Sequence, residues 1–91
     1  MEFEYDPAKD EANRFKHGVR LAFGIRVFDD LDQVIVETVR IGDEEERLKA
    51  IGLVDGKLFT AVHVWRDDVI PFISVRRSNP GEQRDYHRDP G

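Results

Sequence analysis

"RLKAIGLVDGKLFTAVHVW", residues 47–65, decides the fold, because it predicts a β-hairpin whose residue pairing can be worked out. Two segments rich in Val, Leu and Ile flank Asp55 and Gly56, and this dipeptide is typical of a two-residue turn. A turn of that length pairs Lys49 with Val62 across the hairpin. The stretch therefore predicts two antiparallel strands in a fixed register.

A second, weaker turn at Asp67-Asp68 predicts that residues 69–77 form the next strand. If that turn also has two residues, Val62 pairs with Ile73 and Thr60 with Val75. Directly paired residues share a face of the sheet. We expect helices to cover the face that holds Ile51, Leu53, Leu58, Val62, Val64, Val69, Ile73 and Val75. The opposite face is too apolar to remain exposed to solvent, so we expect the final helix or a protein partner to cover part of it. The residues expected to contact a partner there are Phe59, His63, Trp65 and Phe72.

Two helices are predicted before the hairpins. Residues 6–17 have an N-cap at Asp6, Pro7 at the first helical position and Gly18 where a helix often ends. The apolar stripe of this helix is thin, with Ala8, Ala12 and Phe15. Residues 20–28 repeat apolar side chains at helical spacing and predict the second helix.

The other segments complete an α+β fold. Residues 1–5 predict a short edge strand and residues 33–40 a strand before the hairpin. Asn79, Pro80 and Glu82 have the spacing of a capping box and predict a short final helix to about residue 88. We therefore expect a single domain, residues 1–91, with two N-terminal helices on a four-stranded antiparallel sheet, a short extra edge strand and a short C-terminal helix.

Composition and charge narrow the function. The chain has 91 residues, no cysteine and a net charge of −5, which argues against a general nucleic-acid coat protein. Basic residues nevertheless cluster at residues 14–26 and 76–88, where Arg84 joins Arg76 and Arg77. These clusters fit a small RNA footprint, although ordinary solvated faces would look the same. No segment is apolar enough to span a membrane or to act as a signal peptide, so a cytoplasmic location is expected.

Six segments together resemble the BrnT toxins of bacterial type II toxin–antitoxin systems. They are FEYDPAKDEANRFKHGV, VFDD, EERLKAIG, DGKLFTAVHVWRDD, ISVRR and EQRDY, and they cover nearly the whole chain. The resemblance implies a RelE-like fold and an endoribonuclease that cleaves RNA without a metal or other cofactor and inhibits translation. It also implies a cognate BrnA-type antitoxin, expected to be a DNA-binding ribbon–helix–helix protein in a heterotetramer or larger assembly.

The resemblance also implies site residues. It places catalytic residues at Lys16, His17, Arg47, Arg76 and Tyr86, and RNA-binding residues at Lys9 and Arg77. The C-terminal basic cluster adds Arg84 as a further RNA-binding residue. We expect the end of the first helix to approach Arg47, where arginine would stabilise developing charge and histidine would move a proton.

Each of these residues also has a structural explanation. Lys16 and His17 end a helix, where cations are favoured by about 0.3–1 kcal/mol. His63 on an apolar strand is more often a core histidine, and Arg47 follows a run of acids that it can pair with. Pro71 stands where the family usually has an arginine. A catalytically weak, toxin-derived module that pairs with a DNA-binding antitoxin is therefore the alternative function.

Overall fold

The computed structural model describes residues 2–38 and 46–88, which form three helices and one five-stranded sheet. The strands are β1 (Glu2–Glu4), β2 (Val34–Glu37), β3 (Leu48–Val54), β4 (Lys57–His63) and β5 (Val69–Arg77). The helices are α1 (Pro7–His17), α2 (Gly24–Phe28), which follows a 3₁₀ turn at Leu21–Phe23, and α3 (Pro80–His87). The sheet order is β1-β5-β4-β3-β2, so β1 and β2 are the edges. The predicted strand residues beyond 38 lie outside the described residues.

The α+β class is confirmed, but two details of the predicted architecture are wrong. β1 pairs parallel with β5, with Phe3 beside Ile70, so the sheet is mixed and not antiparallel throughout. The predicted second helix is a 3₁₀ turn followed by the five-residue α2. No helix in the described part of the chain is long and apolar enough to cross a membrane.

The hairpin of β3 and β4 has the predicted register. Lys49 pairs with Val62 and Leu53 with Leu58. Asp55 and Gly56 both have positive φ, 50° and 80°, as a type I′ turn requires. The Asp-Gly turn therefore fixes the pairing that the sequence predicted.

The pairing of β4 with β5 is correct only near its turn. Arg66 pairs with Val69, and His63 pairs with Phe72, as a two-residue turn requires. A bulge then shifts the register, so that Val62 pairs with Ser74 and not with Ile73. The extra residue on β5 moves Val75 beside Ala61, onto the opposite face from the one predicted.

The prediction of which sheet face the helices cover was wrong. The helices cover the opposite face, and buried side chains from that face and from the helices form the core: Leu21, Val27, Ala50, Val54, Phe59, Ala61, Phe72 and Val75. Glycines explain the choice of face. A Cβ at Gly52 would lie 2.6 Å from the carbonyl oxygen of Val27, and one at Gly24 would lie 2.7 Å from the Phe72 ring. Only glycine at these two positions lets α2 pack so closely on this face.

α1 contacts the sheet through polar side chains. Asp10 and Asn13 are its buried residues, whereas Phe15 is 90% exposed, so the expected apolar contact is wrong. The Asn13 amide donates to the carbonyl of Val75 (2.8 Å) and accepts from its N–H (3.1 Å). The Asp10 carboxylate accepts from the N–H of Leu21 at 2.7 Å. Asn13 thus occupies the edge of β5 beyond the point where β1 ends.

α3 lies on the other face of the sheet. Its capping box is confirmed: the Asn79 side chain accepts from the N–H of Glu82, and the Glu82 side chain accepts from the N–H of Asn79. Glu82 is 1% exposed, and its carboxylate also accepts from Thr60 in the middle of the sheet. A capping residue therefore anchors α3 to β4.

Candidate functional site

A cavity of about 300 Å³ lies between α1 and β5. Its lining residues are Lys9, Ala12, Asn13, Lys16, His17, Ile73 and Ser74. Asn13 holds α1 against the strand, so the cations of α1 stand beside the bulged part of β5. The cavity brings together three of the predicted residues, Lys9, Lys16 and His17.

His17 has the electrostatic environment of a base. Burial at the helix end lowers the pKa of His17, and the charges of Lys16 and Arg76 lower it further. A histidine whose pKa lies below 6.5 is mostly neutral at pH 7, and a neutral imidazole can accept a proton. The charge of Arg76 on β5 thus acts on the end of α1.

Arg76 is held in place by a carboxylate. Its two terminal nitrogens donate to the two oxygens of Glu82, at 2.7 Å and 2.8 Å. Burial would raise the pKa of Glu82, but hydrogen bonds from Arg76, the N–H of Asn79 and Thr60 outweigh it and lower the pKa to about 2. Glu82 is therefore ionised at neutral pH, and the guanidinium keeps a fixed orientation.

Lys49 is a cation of this site that sequence reasoning missed. Its ammonium nitrogen lies 3.2 Å from a Glu82 oxygen. The signal was present in the register, since Lys49, Val62 and Ser74 form one row across three strands. The sequence prediction instead assigned this role to Arg47.

Arg47 does not stand next to the end of α1. It immediately precedes β3, its carbonyl accepts from Thr38, and β4 separates β3 from β5. The backbones of β3 and β5 are therefore two strand spacings apart, about 9–10 Å. The charges that act on His17 are Lys16 and Arg76. The expected meeting of α1 with Arg47 and Pro71 is therefore corrected: α1 meets Ser74 and Arg76.

Tyr86 also lies away from the cavity. Its hydroxyl donates to Asp30 at 2.7 Å, and the same carboxylate oxygen accepts from the N–H of Leu53 in β3. The hydrogen bond to Asp30 raises the pKa of Tyr86 to about 12. Tyr86 thus connects α3 to the loop after α2, and the geometry gives it a packing role.

The two other predicted RNA-binding residues lie on different surfaces. The Arg77 guanidinium lies 5.6 Å from the centre of the Phe59 ring, on the face opposite Arg76. Arg84 lines a second cleft, of about 680 Å³, beside α3 and Lys49. Of these two arginines, only Arg84 is therefore near the cations of the α3 face. Among the described residues, no three His, Asp or Glu side chains converge as metal ligands.

The expected antitoxin surface is largely inside the protein. Phe59, His63 and Phe72 are 8%, 0% and 3% exposed, because α2 and the 3₁₀ turn cover their face. The His63 ring packs edge-on against Phe28, and its Nδ1 bonds the Ala61 carbonyl, as in a core histidine. Burial lowers the pKa of His63. Trp65, at 50% exposed, is the one of the four that a partner can reach.

Comparison with known families identifies the class. A family model described as "Ribonuclease toxin, BrnT, of type II toxin-antitoxin system" matches residues 5–82. The matched region includes α1, the whole sheet after β1, and Glu82 at the start of α3. The match identifies the chain as a ribonuclease toxin of a type II toxin–antitoxin system. Within that class, the chain belongs to the BrnT family. A search of the curated proteins finds no match.

Proposed function

We propose that this toxin is a metal-independent endoribonuclease whose active centre is the cavity between α1 and β5. In the reaction, the ribose 2′-oxygen forms a bond to the adjacent phosphorus, and the bond from phosphorus to the 5′-oxygen breaks. The products are a 2′,3′-cyclic phosphate and a 5′-hydroxyl. The observation that supports this site is that Lys16 and His17 line the cavity together, while the charge of Arg76 acts on His17.

Each of these residues has one role in the proposal. His17 accepts the proton of the 2′-hydroxyl, because its ring is neutral at the pH of the reaction. Arg76 stabilises the charge that develops on the phosphate oxygens, and its orientation is fixed in advance by Glu82. Lys16 and Lys9 hold the phosphate at the mouth of the cavity. The 5′-oxygen leaves with a proton from the imidazolium or from water.

Cleavage of a defined RNA in excess chelator tests the proposal. We expect the purified toxin to cut RNA at an undiminished rate in EDTA and to leave a 2′,3′-cyclic phosphate and a 5′-hydroxyl. The same sequence as DNA, which lacks the 2′-hydroxyl, is the control and should stay intact. Loss of activity in EDTA, restored by added metal, or a 5′-phosphate on the product would contradict the proposal.

The biological setting follows from the class. A type II toxin has an antitoxin partner. We propose that RNA cleavage inhibits translation in a RelE-like manner and that a BrnA-type antitoxin neutralises it. That antitoxin would be a DNA-binding ribbon–helix–helix protein, in a heterotetramer or larger complex. The gene next to this one should encode it, and coexpression should relieve growth arrest.

We expect Trp65→Ala to weaken antitoxin binding by at least about 1 kcal/mol, because a half-exposed tryptophan is a typical interface anchor. Leu31, 99% exposed, gives a matched apolar control at the other end of the sheet. Leu31→Ala should leave the dissociation constant unchanged in calorimetry. Equal affinity of the Trp65 variant and the parent protein would place the antitoxin on another surface.

A further inference from the structure

Glu82 has more partners than a helix cap needs. A capping box requires its glutamate side chain to accept one hydrogen bond, and Glu82 accepts that bond from the N–H of Asn79 at 2.9 Å. The same carboxylate accepts two bonds from Arg76 and one from Thr60, and it pairs with Lys49. Glutamine would satisfy the cap equally well. The extra partners require an explanation beyond the stability of α3.

These partners come from three neighbouring strands. Lys49 lies on β3, Thr60 on β4 and Arg76 on β5. The backbones of β3 and β5 are about 9–10 Å apart, yet Glu82 contacts the charged ends of Lys49 and Arg76 together. The carboxylate thus gathers two cations at one point on the α3 face of the sheet.

The exposure of the three charged side chains determines which of them an incoming anion contacts. The Glu82 side chain is 2% exposed, whereas those of Lys49 and Arg76 are 23% and 28% exposed. A phosphate therefore contacts the cations and not the carboxylate beneath them. The Lys49 ammonium has three hydrogens, and its described partner is one oxygen of Glu82.

We propose that Glu82 is a positioning residue, which holds Arg76 toward the α1 cavity and fixes Lys49 as a second cation for the RNA backbone. Ser74, two residues before Arg76, lines the cavity, and Lys49 lies in the row of Ser74. An RNA strand whose scissile phosphate lies in the cavity places a neighbouring phosphate at Lys49. This proposal rests on the proposed function and extends it across the sheet.

Glu82→Gln tests the positioning role. It keeps the shape and the bond to Asn79 but loses the charge that holds Arg76. We expect kcat to fall about 10–100-fold with KM equal or lower, because the site becomes more positive while Arg76 loses its orientation. Asp85→Asn removes the same charge from the same helix, where Asp85 pairs, among the described residues, with Arg88 at 3.6 Å, and it should leave kcat unchanged. A rise in KM with unchanged kcat in Glu82→Gln would overturn the proposal.

Lys49→Gln tests the second cation without disturbing the bidentate pair. We expect this variant to bind a non-cleavable 2′-O-methyl RNA more weakly, with the slope of log affinity against log salt smaller by about one. Unchanged RNA affinity would overturn the assignment of Lys49, whether or not Glu82→Gln folds.

A third measurement separates this proposal from the proposed function. In Glu82→Gln, the guanidinium N–H groups of Arg76 observed by NMR should exchange faster with solvent, because the bidentate pair that holds them is lost. Unchanged exchange would contradict the positioning role even in a protein that cleaves RNA. A parent protein whose Arg76 is protected and which binds RNA through Lys49 but does not cut it would contradict only the nuclease.

Discussion

Asn13→Ala should lower the free energy of unfolding by about 2–4 kcal/mol, because it leaves buried backbone groups of β5 without partners. The Asn13 side chain is 6% exposed and bonds both the N–H and the carbonyl of Val75. Its amide also donates to the carbonyl of Val19. Urea denaturation followed by circular dichroism measures the loss.

Two variants give this measurement its comparison. Asn13→Asp keeps the size but loses the two N–H donations and places a charge against two carbonyl oxygens, so it should be at least as destabilising. Arg14→Ala truncates the next side chain of α1, which bonds Glu11 on the surface. This variant should change the free energy of unfolding by less than about 0.5 kcal/mol. If Asn13→Ala and Arg14→Ala were equally stable, α1 would not depend on its polar contact with β5.

His17→Ala should lower the rate of RNA cleavage about 10²–10⁴-fold, the usual contribution of a general base. The His17 side chain lies at the end of α1 and contributes little to the hydrophobic core, so folding and antitoxin binding should be retained. In the parent protein, log kcat/KM should rise with pH and level off above a pKa lower than 6.5, because only the neutral ring accepts a proton. Initial rates on a fluorescent RNA across pH 4–8 measure both effects.

The control for His17 is a lysine in the hairpin of β3 and β4. Lys57 lies beside the Asp55-Gly56 turn and is exposed, so Lys57→Gln should cleave at the parental rate. Lys16→Gln should raise the pKa of His17 by removing a neighbouring positive charge, and the acidic limb of the pH profile should move with it. Parental activity of His17→Ala, or an acidic limb that persists without the histidine, would exclude His17 as the base.

Local signals predicted the elements of this fold well. The Asp-Gly turn fixed the register of β3 with β4, and Asp6 and Asn79 were correct N-caps, with Gly18 in the left-handed conformation at the end of α1. Each of these signals acts over a few residues and has one strong steric or hydrogen-bonding cause. Such signals are present in the sequence whatever the rest of the chain does.

Features that depend on long-range packing were harder to predict from the sequence. Both faces of the sheet carry apolar residues, so alternation alone did not reveal which face the helices cover. The decisive residues were Gly24 and Gly52, which permit close approach and add nothing to a hydrophobic pattern. The bulge at Ile73 has no turn residue to mark it, yet it moves every later side chain of β5 to the other face.

The placement of the candidate site residues was predicted in part, for the same reason. Lys16 and His17 belong to a motif that the family resemblance identifies, and both line the cavity. The arginine whose charge acts on His17 is Arg76 and not Arg47, because the helices cover the other face from the one expected. Lys49 and Glu82 share the site only after α3 crosses the sheet, and no spacing along the chain predicts that crossing.

The contact between Asn13 and Val75 also has a consequence for the timing of synthesis. The two residues are 62 positions apart, and β1 meets β5 over a still longer separation. A ribosome therefore produces α1, with Lys16 and His17, long before it produces the strand that forms the opposite wall of the cavity. An unfinished chain has the cations but no cavity. A toxin that attacks RNA thus acquires its proposed active centre only after β5 has been synthesised.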